Sequence, residues 1–469
     1  MLFNTIEFWL FFGVVWLLVR KADQQRANYV LLGASYLFYG AWDWRFLSLI
    51  FISTFVDFWA AKYAAPEHPN RIRRRALGIS LFVNLSILGL FKYFDFFVTT
   101  FATLFQIPPD ACDGYLLNVA LPVGISFYTF QTLSYTVDVY RGKLAPAGKF
   151  SDFALYVAFF PQLVAGPIER GERFMPQIQS PRPAPGFSHA AILLIAWGLF
   201  KKMVIADTLS GPVDVVFASQ SRLGPEVYVA TVCFAFQIYC DFSGYTDIAR
   251  GLARMLGFDL MLNFNLPYLA TSPAEFWRRW HISLSTWLRD YLYVPLGGNR
   301  NGQLSTYRNL MITMILGGLW HGARMNFVLW GIYHGALLAI HRALFAKHAG
   351  TENQRVSSLA VLMKILGMFH LTLFGWLLFR VESTAQLVDC CIALLGSWQS
   401  WESAIAILWY SVPVLIPLLL VQACQHYYRD LEFMASAPKY VRTAFMTACL
   451  ASCLYLNRSA GTPFIYFQF

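Results

Sequence analysis

Long apolar runs separated by short polar loops dominate the chain. The clearest cover residues 1–19 and about 28–42, 45–64, 76–98, 119–140, 226–240, 359–379, 403–423 and 440–456. A membrane-crossing helix needs about 20 predominantly apolar residues, so these runs predict membrane helices. With the less regular central runs added, the pattern predicts an all-α, polytopic integral membrane protein with roughly ten to twelve membrane segments.

Two central runs, 153–168 and 187–206, are ambiguous. Basic residues flank both ends of each, and Pro161, Gly166 and Pro167 interrupt the first. Either run could enter and leave on the same side of the membrane, so the topology of residues 150–225 stays open. Residues 273–308 contain five Arg and no long apolar run. This stretch is typical of amphipathic helices on the cytoplasmic face.

The run over 309–341 has basic residues at both ends, Arg308 before it and Arg342 after it. Its interior contains the string GGLWHGAR, Gly317 to Arg324, whose glycines disfavour a continuous helix. A helix over 309–320 would rise about 18 Å, roughly half a bilayer. One interpretation is therefore a hairpin with His321 at its tip near the middle of the membrane. The alternative is one long tilted helix.

The distribution of Lys and Arg predicts the orientation. Arg20 and Lys21 follow the first run, and the cluster at 71–75 indicates a cytoplasmic loop, whereas residues 99–118 contain no Lys or Arg. Cytoplasmic loops carry the excess of basic residues. We expect a retained first helix and both termini outside, with the tail at 457–469 extracytoplasmic.

Composition excludes a soluble protein. Of the 469 residues, 57% are hydrophobic and 13% charged, and the mean hydropathy is +0.48; ordinary globular proteins carry about 25% charged residues. The net charge of +10 is explained by basic cytoplasmic loops, so we expect no nucleic-acid partner. The eight Cys show no metal-ligand spacing, and no metal site is expected. No Walker A, GxGxxG, GxSxG or HExxH string occurs, which leaves an enzyme or a transporter open.

Ionisable residues within apolar runs are the candidates for chemistry, because such residues are costly in a membrane. His321 is the strongest, since a desolvated imidazole can accept a proton at neutral pH. His281 lies in an aromatic and basic segment and is equally compatible with an interfacial helix. Asp241 and Asp247 favour a structural role, Asp247 being spaced to pair with Arg250. The aromatic tail TPFIYFQF could be an interfacial anchor or could insert into a cavity with Tyr466.

These residues lie in strings that resemble the membrane-bound O-acyltransferases, in particular their polysaccharide-acetylating bacterial branch. The matching strings, between about 121 and 335, are LPVGISFYTFQTLSYTVDVYRG, FPQLVAGPIER, DFSGYTDIARGLARMLGF, NFNLPYLATSPAEFWRRWHISLSTWLRDYLYVPLGGNR and GGLWHGA. The resemblance implies one membrane domain over 1–469 with re-entrant helices around a central tunnel.

The resemblance also implies the site. The family's catalytic His corresponds to His321 and its second polar position to His281, where many eukaryotic members have Asn. The terminal string resembles that of a small peptide in teichoic-acid D-alanylation, which implies that Tyr466 carries an acyl group.

The expected activity is O-acetylation of an exopolysaccharide, alginate or cellulose, from a cytoplasmic thioester. The donor would be acetyl-CoA or an acyl carrier protein. The expected partner is an extracytoplasmic acetyltransferase or polysaccharide-modifying protein, and the expected location is a bacterial inner membrane. Alternatives are a peptidoglycan, lipid or protein acyltransferase of the same family, and a transporter that uses the same buried polar groups.

Overall fold

The computed structural model describes residues 1–108, 113–119, 121–163, 166–345, 357–456 and 464–465. Throughout these ranges the regular structure is helical, without strands, so the predicted all-α membrane class is confirmed. Within the same ranges, seven helical stretches are long and apolar enough to cross a membrane: Trp44–Ala64, Asn70–Leu104, His189–Ala218, Gly224–Met255, Met325–Phe345, Ser358–Arg380 and Glu402–Tyr428. The count of roughly ten to twelve segments stays a prediction, because it includes shorter apolar runs.

The first of two compact units comprises residues 1–192 and 249–261. Its helices are α1 (Ile6–Lys21), α2 (Gln24–Gly40), α3 (Leu47–Ala64), α4 (Asn70–Leu88), α5 (Phe94–Leu104), α6 (Ile125–Tyr140), α7 (Phe150–Ala158), α8 (Phe160–Leu163) and α9 (Gly171–Gln179).

Two boundaries in this unit differ from the sequence prediction. The basic cluster at 71–75 lies in the first turns of α4 and not in a loop. Helix α4 begins at Asn70, because Pro69 lacks the backbone N–H that a helix interior needs and so marks the helix start. The run expected from residue 119 becomes helical only at Ile125, after Gly124 with a left-handed φ of 75°. A side chain at Gly124 would also approach the carbonyl oxygen of Leu163 to 2.7 Å.

A polar cluster lies at the centre of this unit, where α3, α4 and α6 pack together. Asp57 is fully buried and accepts hydrogen bonds from Ser80, from Asn84 at 2.8 Å and from Thr136 at 3.0 Å. A buried carboxylate needs such donors to offset the loss of water. The cluster therefore has a structural explanation.

The second compact unit comprises residues 193–248 and 262–469. The helices lying wholly or mainly in it are α10 (His189–Leu199), α11 (Asp207–Ala218), α12 (Gly224–Met255), α13 (Pro273–Arg279), α14 (Ile282–Leu288), α15 (Gln303–His321), α16 (Met325–Phe345), α17 (Ser358–Arg380), α18 (Thr384–Gly396), α19 (Glu402–Tyr428) and α20 (Lys439–Leu456). A π-helical segment, Phe200–Ala206, joins α10 to α11.

Helices α15 and α16 form the hairpin that the glycine-rich string predicts, and the single tilted helix is wrong. The break lies at Gly322–Arg324, directly after His321. The two arms pack closely because small residues face each other: a Cβ on Gly331 would lie 2.5 Å from the carbonyl oxygen of Met314. Since α15 begins at Gln303 and has 19 residues, it rises about 28 Å and not 18 Å. Mid-membrane depth for His321 therefore does not follow from helix length.

Candidate active site

His321 ends α15 and is buried in an aromatic shell. Its side chain is 4% exposed, and its ring centroid lies 5.1 Å from that of Trp330 and 5.3 Å from that of Phe379. Gly322 follows it and ends α15, so that α16 turns back and brings the ring of Trp330 edge-on to the imidazole. The site predicted at the hairpin tip is thus an enclosed one.

His281 occupies an unusual backbone position between α13 and α14. Its φ and ψ are 42° and 55°, the left-handed region that residues with a Cβ rarely adopt. Asn263 stabilises the turn, because its carbonyl accepts from the amide of Ile282 at 2.9 Å and its side chain accepts from the amide and hydroxyl of Ser283 at 3.1 and 2.8 Å. Strain maintained in this way is frequent at functional sites. The predicted amphipathic helix is therefore interrupted at the candidate residue.

The structure brings the two candidate histidines together. Their ring centroids are 6.3 Å apart, and Trp320 lies beside His281 at 5.7 Å. His281 is fully buried and also meets the ring of Phe242 on α12 at 4.6 Å. Two imidazoles and an indole N–H at this spacing could contact one small acyl group and a hydroxyl that attacks it.

The two aspartates of the CDFSGYTDIARG string are held by lysines. Lys201 Nζ lies 2.7 Å from Asp247 Oδ2, and Lys202 Nζ lies 2.9 Å from Asp241 Oδ1. Asp247 therefore forms an ion pair with Lys201 on the π-helical segment, and its expected pairing with Arg250 stays a prediction. Both lysines are almost fully buried, where a charge needs a partner.

The tail docks on the same helix. Phe464 is fully buried and Ile465 is 4% exposed, and the amide of Ile465 donates to Asp241 Oδ2 at 2.6 Å. The ring of Phe464 meets Phe242, the residue that also contacts His281. Insertion of this part of the tail, one of the two expected possibilities, is therefore what the structure contains. Tyr466 itself lies outside the described residues.

Two cavities open in this unit. One of about 900 Å³ is lined by polar and aromatic side chains including Phe234, Gln237, Arg324 and Arg380, together with Ile465 of the tail. The other, of about 420 Å³, is mostly apolar with two arginines at its wall; its lining includes Trp277, Arg278, Arg289, Leu310 and Met314. Trp277 contacts Trp330, the neighbour of His321, at 5.6 Å. The larger cavity thus includes Arg324, three residues after His321 in sequence, and the smaller one includes Trp277, which contacts a neighbour of His321.

The described residues contain no group of three or more His, Cys, Asp or Glu that could hold a metal ion.

Comparison with known proteins identifies the family. The family model for MBOAT, the membrane-bound O-acyltransferase family, matches residues 147–379, which include both His281 and His321. The chain is 38% identical to the probable alginate O-acetylase AlgI of Pseudomonas putida over the whole of both proteins. The chain belongs to the membrane-bound O-acyltransferase family.

Other relatives point in the same direction. The probable alginate O-acetylase AlgI of Pseudomonas aeruginosa is 40% identical over 86% of this chain and 76% of the relative. The peptidoglycan O-acetyltransferase of Helicobacter pylori is 35% identical over 78% of this chain and 73% of the relative. This protein is thus an acyltransferase, a multi-pass membrane protein of the O-acetyltransferase type.

The matching string FPQLVAGPIER belongs to the first unit and has a structural function there. Glu169 is fully buried and accepts from Arg173 at 3.0 Å and from the amide of Met261. It lies outside the candidate spans, and burial raises its pKa to about 7 although Arg173 acts in the opposite direction.

Sequence reasoning missed three contributors to the site. Asn263 gave no signal, because its function depends on a turn that forms only in the folded chain. Lys201 and Lys202 did give one, because two adjacent lysines lie within the apolar run 187–206. Charged residues within such runs usually have a buried partner, which here is a pair of aspartates on α12.

Proposed function

We propose that this acyltransferase takes an acetyl group from a cytoplasmic thioester and passes it across a bacterial inner membrane for O-acetylation of an exopolysaccharide. The observation that carries the proposal is the buried pair His281 and His321, with the docked tail one aromatic ring away through Phe242. In this proposal both termini are periplasmic.

The smaller cavity is the proposed entrance for the donor, acetyl-CoA. It lies among helices α13 to α16, in the region that the basic residues predict to be cytoplasmic. An apolar wall suits the thin pantetheine arm of a thioester, and Arg278 and Arg289 supply positive charge for its phosphates. An acidic acyl carrier protein would meet the same charges, so it remains the second donor in the proposal.

The proposed first step transfers the acetyl group to Tyr466. Its hydroxyl oxygen attacks the thioester carbonyl carbon while His321 accepts the proton as general base. The tetrahedral oxyanion is stabilised by N–H donors, for which His281 and the indole of Trp320 are the candidates. The carbon–sulfur bond then breaks, and His321 gives the proton to the leaving sulfur, so that the thiol departs and the imidazole is neutral again.

Position supports Tyr466 as the acceptor of this step. It directly follows Ile465, whose amide is fixed to Asp241 and whose side chain lines the larger cavity together with Arg324. Holding the hydroxyl beside the thioester replaces an encounter between two molecules by a local step.

In the proposed second step, a hydroxyl oxygen of the acceptor attacks the carbonyl carbon of the tyrosyl ester while His321 accepts its proton. His321 then gives this proton to the Tyr466 oxygen as the ester bond breaks. An extracytoplasmic polysaccharide-modifying protein receives the group or presents the acceptor. Similarity to the AlgI proteins supports alginate, with cellulose as the other exopolysaccharide. The relative from Helicobacter pylori supports peptidoglycan as the second candidate acceptor.

Single-turnover labelling tests the relay. Purified protein mixed with radiolabelled acetyl-CoA, without acceptor, should release about one equivalent of thiol per chain and carry the acetyl group on Tyr466, identified by mass spectrometry. Tyr466→Phe keeps the ring but should lose both signals, whereas the control Tyr455→Phe, at an exposed tyrosine of α20, should keep them.

The opposite result is equally clear. If Tyr466→Phe acetylates acceptor at the wild-type rate and wild-type protein carries no label at Tyr466, the relay is wrong. Direct transfer to the acceptor with His321 as base would then replace it.

A further inference from the structure

The described end of the tail is fixed by one strong hydrogen bond. The amide of Ile465 donates to Asp241 Oδ2 at 2.6 Å, and both residues are at least 96% buried. These residues are 224 positions apart in sequence. A hydrogen bond to a carboxylate is stronger than one between neutral groups, and more so where water is excluded.

A buried lysine keeps this carboxylate in place. Lys202 Nζ lies 2.9 Å from Asp241 Oδ1 and 2.8 Å from Asp207 Oδ1, so one ammonium serves two carboxylates. Asp241 thus receives the lysine on one oxygen and the tail on the other. A carboxylate that shares its cation gains from a further donor, and the tail amide supplies it.

The local backbone explains how the lysine reaches this position. Lys201 and Lys202 lie in the π-helical segment Phe200–Ala206, and the two adjacent side chains address Asp247 and Asp241 respectively. Single π-helical turns of this kind occur frequently at functional sites. Gly198 and Gly244 allow the close approach of α10 and α12, since a Cβ on Gly198 would lie 2.6 Å from the carbonyl oxygen of Gly244.

Aromatic packing completes the dock. The ring of Phe464 lies 4.6 Å from that of Tyr245 and 5.7 Å from that of Phe242. Asp241, Phe242 and Tyr245 fall within one turn of α12, so a single helix face offers a carboxylate and two rings to two consecutive tail residues. A helix face of this form suits a short segment that offers one backbone amide and one aromatic side chain.

We propose that Asp241, supported by Lys202, is a positioning residue that docks the tail on α12. Its carboxylate binds the backbone amide of residue 465, and the two rings bind the aromatic side chain before it. The effect on acetyl transfer rests on the proposed function, because it acts through Tyr466. Docking itself does not, and can be measured separately.

Hydrogen–deuterium exchange of the full-length protein in detergent measures docking directly. In the C-terminal peptide, Asp241→Asn should raise the exchange rate about tenfold, since a neutral acceptor replaces a charged one. Asp247→Asn is the matched control on the same helix: it also removes one carboxylate paired with a buried lysine, and it should leave tail exchange at the wild-type rate.

A second pair of variants leaves the buried ion network unchanged. Ile465→Pro removes the donor N–H itself and should release the tail, shown by faster exchange at Phe464. Ile465→Val keeps the amide, the branched side chain and most of the volume, and should behave as wild type. This pair decides the question if Asp241→Asn accumulates poorly.

Unchanged tail exchange in Ile465→Pro, or equal increases in Asp241→Asn and Asp247→Asn, would overturn the dock. Acetyl transfer, measured on the same samples, separates the two proposals. A released tail with wild-type acetylation leaves the dock standing and refutes the relay through Tyr466. A released tail with acetylation lost supports both.

Discussion

Replacing His321 by Gln tests the general base on which the proposed transfer depends. Gln retains a polar side chain of similar volume but cannot take up a proton during the reaction. General-base catalysis contributes about 10²- to 10⁴-fold to rates, which corresponds to about 3–5 kcal/mol of activation free energy. We therefore expect His321→Gln to lower the rate of acetyl transfer by a factor within that range.

The structure provides a control for the accompanying packing change. His334 on α16 is also buried, at 2% exposed against 4% for His321, and its ring contacts the same Trp330 at 4.7 Å. It stacks on Phe276 at 6.2 Å and belongs to no step of the proposed mechanism. Each substitution alters the hydrogen bonding of one buried imidazole, at a cost of about 1–3 kcal/mol in unfolding free energy. His334→Gln should therefore match His321→Gln in stability while keeping acetylation.

Two measurements check this expectation: polymer acetyl content in cells, normalised to the protein present in membranes, and thiol release from acetyl-CoA by purified protein. Thermal unfolding of both variants shows whether their packing costs match. Near-normal thiol release and acetylation by His321→Gln would refute the assignment. An equal loss of acetylation in His334→Gln, at equal protein abundance, would show that any disturbance around Trp330 is sufficient to abolish acetyl transfer.

The other predictions use different parts of the structure. Gly331→Ala should lower the free energy of unfolding by about 1–3 kcal/mol, because the added Cβ would clash with Met314. Gly367→Ala, at a glycine with open space around it, should not. Equal melting temperatures of the two variants would contradict the close packing of the hairpin. Arg324→Gln should raise the KM for acceptor about tenfold and leave thiol release unchanged. The guanidinium of Arg324 is exposed, makes no ion pair or hydrogen bond within the part of the chain described, and could bind a carboxylate or hydroxyl of the acceptor. An unchanged KM would exclude Arg324 from the acceptor site. Cysteines at positions 70 and 460 should be labelled from the cytoplasmic and the outer side, respectively, and a cytoplasmic position 460 would also end the relay.

The sequence was informative where the signal was local. A histidine within an apolar run, in a string with three glycines, predicts both a hairpin and a buried candidate base at His321, and both features depend on residues within one short string. The aromatic tail predicted either an anchor or insertion, and the burial of Phe464 and Ile465 favours insertion. Local patterns thus located the site, although not its partners.

No local pattern indicates the contacts between residues that are distant in sequence. The left-handed backbone of His281 is stabilised by Asn263, a residue of another segment, and no local pattern in the sequence indicates this contact. The bond between Asp241 and Ile465 joins positions 224 apart. The predicted starts of α4 and α6 are wrong for a simpler reason. Hydropathy marks where a helix enters an apolar region, whereas Pro69 and Gly124 determine where these two helices begin.

A relay on the tail would also account for the spread of names among the relatives. This chain resembles an alginate O-acetylase at 38% identity and a peptidoglycan O-acetyltransferase at 35%, although these acceptors differ in charge and size. If acetyl leaves the thioester for Tyr466, the first transfer involves only groups of this chain and the donor, and it needs no contact with polysaccharide. Selection of the acceptor then belongs to the second transfer and to the partner that performs it. The tail dock on α12 and the histidine pair would serve either pathway unchanged, so acceptor specificity should move with the partner when two such systems exchange partners.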